Sequence, residues 1–148
     1  MKSKIKILIL IIVCIFLVAV LSLINQRRRI SVPQNMIRIE GTKSNMLDLS
    51  TLPRSKISGK VVNNKGDVRE ISGDGISLFD LIKDYAGDNY SKITVISDDE
   101  YKAIITRDEA EIPGKAILIF EDSTMRLYVF GDANSKRNVS NVKRIIIN

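Results

Sequence analysis

Two residues carry the clearest chemical potential in this sequence, Tyr101 and Arg126. Arg126 interrupts the apolar run Met125-Arg126-Leu127-Tyr128-Val129. A guanidinium placed there either takes the solvent face of a strand, as alternation alone permits, or is aimed at an anion or carboxylate. Tyr101 follows the acidic turn Asp98-Asp99-Glu100 and joins an apolar ring to a polar tip. These two are the candidate ligand- or cofactor-binding residues. No catalytic residue and no metal-binding set is assigned. The chain has no His, and its single Cys, Cys14, lies in the apolar N-terminal stretch. A serine nucleophile would therefore lack an imidazole base, and zinc would lack its usual ligands. No G-x-S-x-G, G-x-G-x-x-G or Walker pattern occurs. Asp98-Asp99-Glu100 lacks the alternating oxygen spacing of a calcium loop and reads as a solvated hairpin turn. The sequons Asn89-Tyr90-Ser91 and Asn138-Val139-Ser140 are short enough to arise by chance.

Charge narrows the function classes. The 148 residues contain 23 Lys and Arg against 17 Asp and Glu, a formal charge of +6. Six of the 23 are Lys2, Lys4, Lys6, Arg27, Arg28 and Arg29, which flank the apolar stretch, and every acidic residue lies beyond them. The remainder balances at 17 against 17. Without a basic face, nucleic acid is excluded as a partner.

Ile7 to Ile24 carries no charge, Pro or Gly. About 18–20 apolar residues at ~1.5 Å each span a hydrocarbon core of ~30 Å. The expectation is an uncleaved single-pass transmembrane helix within an anchor over 1–29, meeting the bilayer through residues 5–24. Ser22-Leu23-Ile24-Asn25 offers no small-residue cleavage pattern, and Val13 before Cys14 does not fit a lipoprotein signal. Three Lys before the stretch and three Arg after it nearly tie on the positive-inside rule. The short leading tail and the absence of thiols from the remainder favour a domain outside the cell membrane.

The elements that must position Tyr101 and Arg126 are mostly strands. Residues 30–55 read as a linker and irregular segment, relieved by the alternation Met36-Ile37-Arg38-Ile39-Glu40. Residues 56–148 read as one α+β domain, mostly antiparallel, with one main helix. Lys56 to Val62 and Asp67 to Ile71 flank the turn Asn63-Asn64-Lys65-Gly66. Ser77 to Gly87 predicts the helix, with Ser77 as cap, Asp80 completing a short-armed capping box, and Gly87 as a left-handed stop. Leu78, Leu81, Ile82 and Tyr85 form its buried stripe. Strands follow over 92–96, 101–105, 116–120, 125–130 and 142–147. Arg107 to Glu111 reads as a charged turn or short helix, and Gly131 to Asn138 as a polar loop.

The order of these pieces resembles the molybdopterin-binding domain of the sulfite oxidase family in a short form. Gly59-Lys60-Val61 and Ile76-Ser77-Leu78-Phe79-Asp80-Leu81 are similar to that family's opening strand and helix. Asp98 to Ile105 is similar to its "D-G-Y-x-a-x-l" hairpin, with Glu100 where Gly is usual. Met125 to Val129 is similar to its "P-l-R-L-v-v-P" strand, and Val139 to Ile147 to its close. The resemblance implies the scaffold without its chemistry. The thiolate that binds molybdenum in that family has no counterpart beyond Cys14, its pocket His residues are missing, and its closing Lys-Trp stands here as Ser140-Asn141. A second resemblance, over about 30 residues from Gly59-Lys60-Val61 to Ala86-Gly87, is to the soluble-ligand-binding β-grasp modules of polysaccharide export. The expectation is a membrane-anchored binding or interaction module on a cofactor-free, molybdopterin-domain-like scaffold. The alternatives are an oxidoreductase-related protein that keeps some cofactor binding, or a β-grasp ligand module.

Overall fold

A computed structural model describes residues 11–21 and 32–148. The chain divides into two compact units, Met1–Ser31 and Val32–Asn148.

In the first unit the described residues form one helix, α1 (11–21), whose large apolar side chains from Ile11 to Leu21 are exposed. The expected transmembrane helix ahead of the domain is corrected here. Among the described residues no helix is long and apolar enough to cross a membrane. The described part of α1 covers about 16 Å at ~1.5 Å per residue, against a ~30 Å hydrocarbon core. Residues 5–10 and 22–24 of the stretch read as a span lie outside the described residues, as do the basic flanks.

The second unit is α+β and mostly antiparallel, built from two sheets. Sheet A has the order β2-β1-β9-β5-β6. Its members are β1 (Met36–Glu40), β2 (Ser44–Asp48), β5 (Lys92–Ser97), β6 (Lys102–Thr106) and β9 (Val142–Ile147). Only the β1–β9 pair is parallel, in the register Arg38↔Arg144 to Glu40↔Ile146. Sheet B has the order β3-β4-β7-β8, from β3 (Ser55–Val62), β4 (Val68–Ser77), β7 (Ala116–Glu121) and β8 (Thr124–Val129). Helices α2 (Leu78–Ile82) and α3 (Arg107–Glu111) complete the unit, with a single 3-10 turn at Leu49–Thr51. The segment read as linker and irregular, 30–55, thus supplies two strands of sheet A.

The main core joins Ile37 and Ile39 of β1, Leu78, Leu81 and Ile82 of α2, Ile93 and Val95 of β5, Leu118 of β7, Met125 and Leu127 of β8, and Ile145 of β9. A second cluster lies on the other face of sheet B: Val61, Ile117, Ile119 and Tyr128, with Ile57, Ile71 and Phe130 packed against it. Strand β7 stands between the two, which explains its unbroken apolar sequence. Ala116 and Leu118 face one core, Ile117 and Ile119 the other.

Sheet B is curled. Strand β3 pairs along β4 from Ser55↔Gly75 to Val62↔Val68, but β4 pairs with β7 only through Gly75, Ile76 and Ser77. The free part of the β3–β4 hairpin bends until its outer strand meets the chain leaving β8. A Cβ at Gly59 of β3 would lie 2.5 Å from the Phe130 ring, so only glycine allows this approach of the two sheet edges. Gly66, at φ 91, closes the hairpin turn in a conformation that other L residues rarely adopt.

Helix α2 is shorter than the predicted 77–87. Ser77 occupies the N-cap position without a side-chain hydrogen bond, and the Asp80 capping box does not form. After Ile82 the chain turns because a distant strand connection captures it: both the amide and the hydroxyl of Thr42 donate to the Tyr85 carbonyl at 3.0 Å. Gly87 does not adopt the expected left-handed stop, since its φ is not among the positive ones. The capping box forms instead at α3, where the Glu109 amide donates to Thr106 and the Thr106 amide donates back to the Glu109 carboxylate at 3.2 Å.

Candidate functional site

The connection from β8 to β9, residues 130–141, holds the two candidate residues in relation to each other. Arg137 fixes its middle. Its guanidinium donates to both carboxylate oxygens of Asp132, at 2.7 and 2.6 Å, and to both of Glu109, each at 2.8 Å. These bonds hold the Glu109 carboxyl down to about 2, with the Arg137 hydrogen bonds as the largest cause, and they raise Arg137 above its usual range. Val139 bridges to β8 through reciprocal amide–carbonyl bonds with Leu127, at 2.8 and 3.1 Å. Asn138 accepts the Val129 amide at 3.1 Å.

Tyr101 lies just before β6, and its ring is exposed. Its hydroxyl donates to the Lys136 carbonyl. Arg126 sits on β8, where Nη2 donates to the Ser140 hydroxyl at 2.7 Å and Nη1 to the Tyr128 hydroxyl at 3.3 Å. Nε lies 3.5 Å from a Glu121 carboxylate oxygen, yet it is buried without a hydrogen bond. The Tyr128 hydroxyl passes its proton toward Glu121 at 3.2 Å. Hydrogen bonding to Tyr128 is the largest cause raising the Arg126 pKa. Arg126 thus has a carboxylate beside it and also lines a cavity.

That cavity, of about 300 Å³, lies where the curled hairpin approaches β8 and the 130–141 connection. Val61 of β3 and Ile71 of β4 supply apolar wall, and Arg69, Arg126, Asn138 and Ser140 supply polar groups. Period two places these groups together: Arg126 and Tyr128 share one face of β8, and Arg69 and Ile71 one face of β4. Val61 is the cross-strand partner of Arg69. The Ser135 hydroxyl, which also lines the cavity, donates to Asn64 at the hairpin tip at 3.1 Å and joins the two walls. No Asp or Glu lines the cavity.

Tyr101 and Arg126 therefore grip the same connection at Lys136 and Ser140, but Tyr101 does not line the Arg126 cavity. Sequence reasoning missed Arg69, Asn138, Ser140 and the anchor Arg137. For Arg69 and Arg126 a signal existed in the strand alternation; for the others nothing local marks a contact made across the fold.

The acidic turn is occupied by its own backbone and neighbours. Asp99 accepts from the Ser97 hydroxyl and, at 3.1 Å, from the Tyr101 amide; these bonds hold its carboxyl below the usual range, the Ser97 bond most. Glu100 pairs with Arg144 at 3.2 Å. Among the described residues no group of three metal-ligating side chains gathers. A larger cavity, of about 460 Å³, lies between Leu52, Ile76 and Tyr85. Of its charged groups, Lys83 pairs with Asp80 at 3.5 Å and Arg54 lies over the Phe120 ring at 4.0 Å, while Asp84 forms no ion pair among the described residues.

No protein-family model matches this chain. No curated protein matches it by sequence either.

Proposed function

We propose that this protein is a binding module, and that its second unit takes a small molecule in the cavity at the mouth of curled sheet B. The observation that carries this reading is the convergence there of Arg69 and Arg126 with Asn138 and Ser140 over an apolar wall. A few directed polar groups set in an apolar hollow at the open end of a curved sheet are the usual makings of a ligand site. The scaffold belongs to the same reading as a cofactor-free relative of the molybdopterin-binding fold. The support is the order of the sequence stretches around Gly59, Asp98 and Met125, together with a globular unit that lacks Cys and His. Attachment at the cell membrane is supported by the exposed apolar side chains of α1, and placement of this unit outside by the lack of thiols beyond Cys14.

A small-molecule screen by NMR on the isotopically labelled full chain tests the module. Ligands should perturb Val61, Ile71 and Ser140 together. A screen in which those signals never move overturns the cavity as a ligand site. Stoichiometric molybdenum or a coloured cofactor in the purified chain overturns the cofactor-free scaffold. Protease added to intact cells should cleave the second unit; protection until the cells are broken overturns its placement outside.

A further inference from the structure

We infer that the ligand of this cavity is a phosphoester whose phosphoryl group lies between Arg69 and Arg126; the inference rests on the proposed binding function of the cavity. Three walls supply donors, and no wall supplies an acid. On β8, Arg126 has several N–H groups but makes two hydrogen bonds among the described residues, to Tyr128 and Ser140. On β4, Arg69 forms no hydrogen bond and no ion pair from its side chain among the described residues, and it lines the same cavity. On the connection, Asn138 has its amide orientation fixed by the donor it receives. Its oxygen accepts the Val129 amide at 3.1 Å, so its NH₂ group remains to donate. The Ser140 oxygen accepts from Arg126, which leaves the Ser140 hydrogen unused among the described residues. Two carboxylates bond lining residues without lining the cavity themselves: Glu121, beside Arg126 and Tyr128, and Asp67, which accepts from Asn63 at 2.9 Å.

A cavity with donors in excess and two guanidinium groups selects an anion. The disposition of the donors selects the kind. A carboxylate is planar, carries one charge and presents two oxygens. A phosphate monoester carries roughly −1.5 to −2 charges near neutrality and presents three terminal oxygens in a tetrahedral array. That array offers an oxygen each to donors on β4, β8 and the connection, and its charge suits Arg69, which has no ion pair among the described residues, beside Arg126, which also faces Glu121 at 3.5 Å. At about 300 Å³ the cavity exceeds a bare phosphoryl group, and Val61 and Ile71 offer the remaining wall to an organic substituent.

The test is an NMR titration of the full chain with phenyl phosphate, benzoate and phenol at neutral pH. Phenyl phosphate should move Val61, Ile71 and Ser140, and bind at least about tenfold more tightly than benzoate. Arg69→Gln and Arg126→Gln should each weaken phenyl phosphate by about tenfold or more. Arg126 shares a network with Glu121 and Tyr128, and its loss can unsettle the fold. Arg69→Gln removes no hydrogen bond or ion pair made among the described residues and keeps the test decisive. Equal binding of benzoate, or unchanged affinity in Arg69→Gln, overturns the phosphoryl assignment. Phenol moving the cavity signals while phenyl phosphate leaves them still also overturns it, with the cavity intact as a ligand site. If none of the three compounds moves them, both the assignment and the cavity reading fall. Phosphatidylcholine vesicles carrying phosphatidate distinguish the source: competition with phenyl phosphate assigns a lipid headgroup, and no competition a free phosphoester, either within the phosphoryl assignment.

Discussion

Gly59 and Phe130 bring the two edges of sheet B into contact: a Cβ on Gly59 would lie 2.5 Å from the Phe130 ring. Sheet order makes β3 and β8 opposite edges, so this contact converts an open four-stranded sheet into a curled one with its own apolar interior. The Arg69–Arg126 cavity exists because of that curl.

Gly59→Ala should therefore destabilise the second unit by roughly 1–3 kcal/mol, the usual cost of forcing atoms into a packed site. Phe130 is only half-buried, so part of the strain can be relieved by moving its ring. Phe130→Leu in the Gly59→Ala background should recover stability relative to the sum of the two single changes. Denaturant melts of the four proteins give the coupling energy; strict additivity would show that the two residues do not press on each other.

The curl also marks where the sequence stopped being legible. Strands over 36–40, 56–62, 92–96 and 142–147 were readable because alternation or apolar runs record which face is buried. Strand β2, Ser-Asn-Met-Leu-Asp, was not, because it is an edge strand with no fully buried residue, held by pairing with β1 and by the partly buried Leu47. The end of α2 was misread because the Tyr85 carbonyl is claimed by Thr42, 43 residues earlier. No local pattern encodes that bond. The apolar stretch 7–24 was readable as hydropathy, and its described part, 11–21, is helical. Arg126 was legible as an exception to an apolar strand. Its companions Arg69 and Ser140 come from other segments, and the Leu127–Val139 bridge and the curl of β3–β4 assemble them.

Acid should weaken the loop that carries Ser140. The folded Glu109 carboxyl titrates at about 2, below its ordinary 4.5, because Arg137 and Thr106 hydrogen-bond the charged form. A carboxyl depressed in the folded state contributes its full stability above its unfolded pKa and loses it as pH falls through the folded one. The window is therefore from about pH 5 down to 2, with a loss on the order of 2–3 kcal/mol. Glu109→Gln should lower stability at neutral pH and flatten the slope across that window. Some slope should remain, since Asp48 and Asp99 are also held low by hydrogen bonds from Ser50 and Ser97. Urea melts at several pH values measure it; an unchanged slope in Glu109→Gln would show that the Arg137 bridge has no weight in solution.

Glu100 sits at φ 68, in the left-handed region that costs a non-glycine residue about 1–2 kcal/mol. Its pair with Arg144 at 3.2 Å is half-exposed and contributes less than about 1 kcal/mol. Glu100→Gly should accordingly raise the melting temperature by a few degrees, while Glu100→Ala should not. A fall in melting temperature on Glu100→Gly would mean that the Arg144 pair outweighs the backbone strain.

Tyr101 and Arg126 act on one connection from different strands, and their substitution should produce different signatures. Tyr101→Phe removes only the hydroxyl that donates to the Lys136 carbonyl. The change should cost about 0.5–1.5 kcal/mol of local stability, because an exposed carbonyl can turn to water instead. Amide exchange should quicken at Asn138 and Val139, whose donors bond Ser135 and Leu127, while strands β5 and β9 stay protected. Arg126→Gln should instead disturb Tyr128 and Ser140, the two groups its guanidinium holds. If Tyr101 serves only to position the connection, Tyr101→Phe reduces phenyl phosphate binding by a few-fold at most, well short of the Arg69→Gln loss. Equal losses in Tyr101→Phe and Arg69→Gln would place Tyr101 in contact with the ligand. Unchanged exchange at Asn138 and Val139 would show that its hydroxyl does not hold the loop.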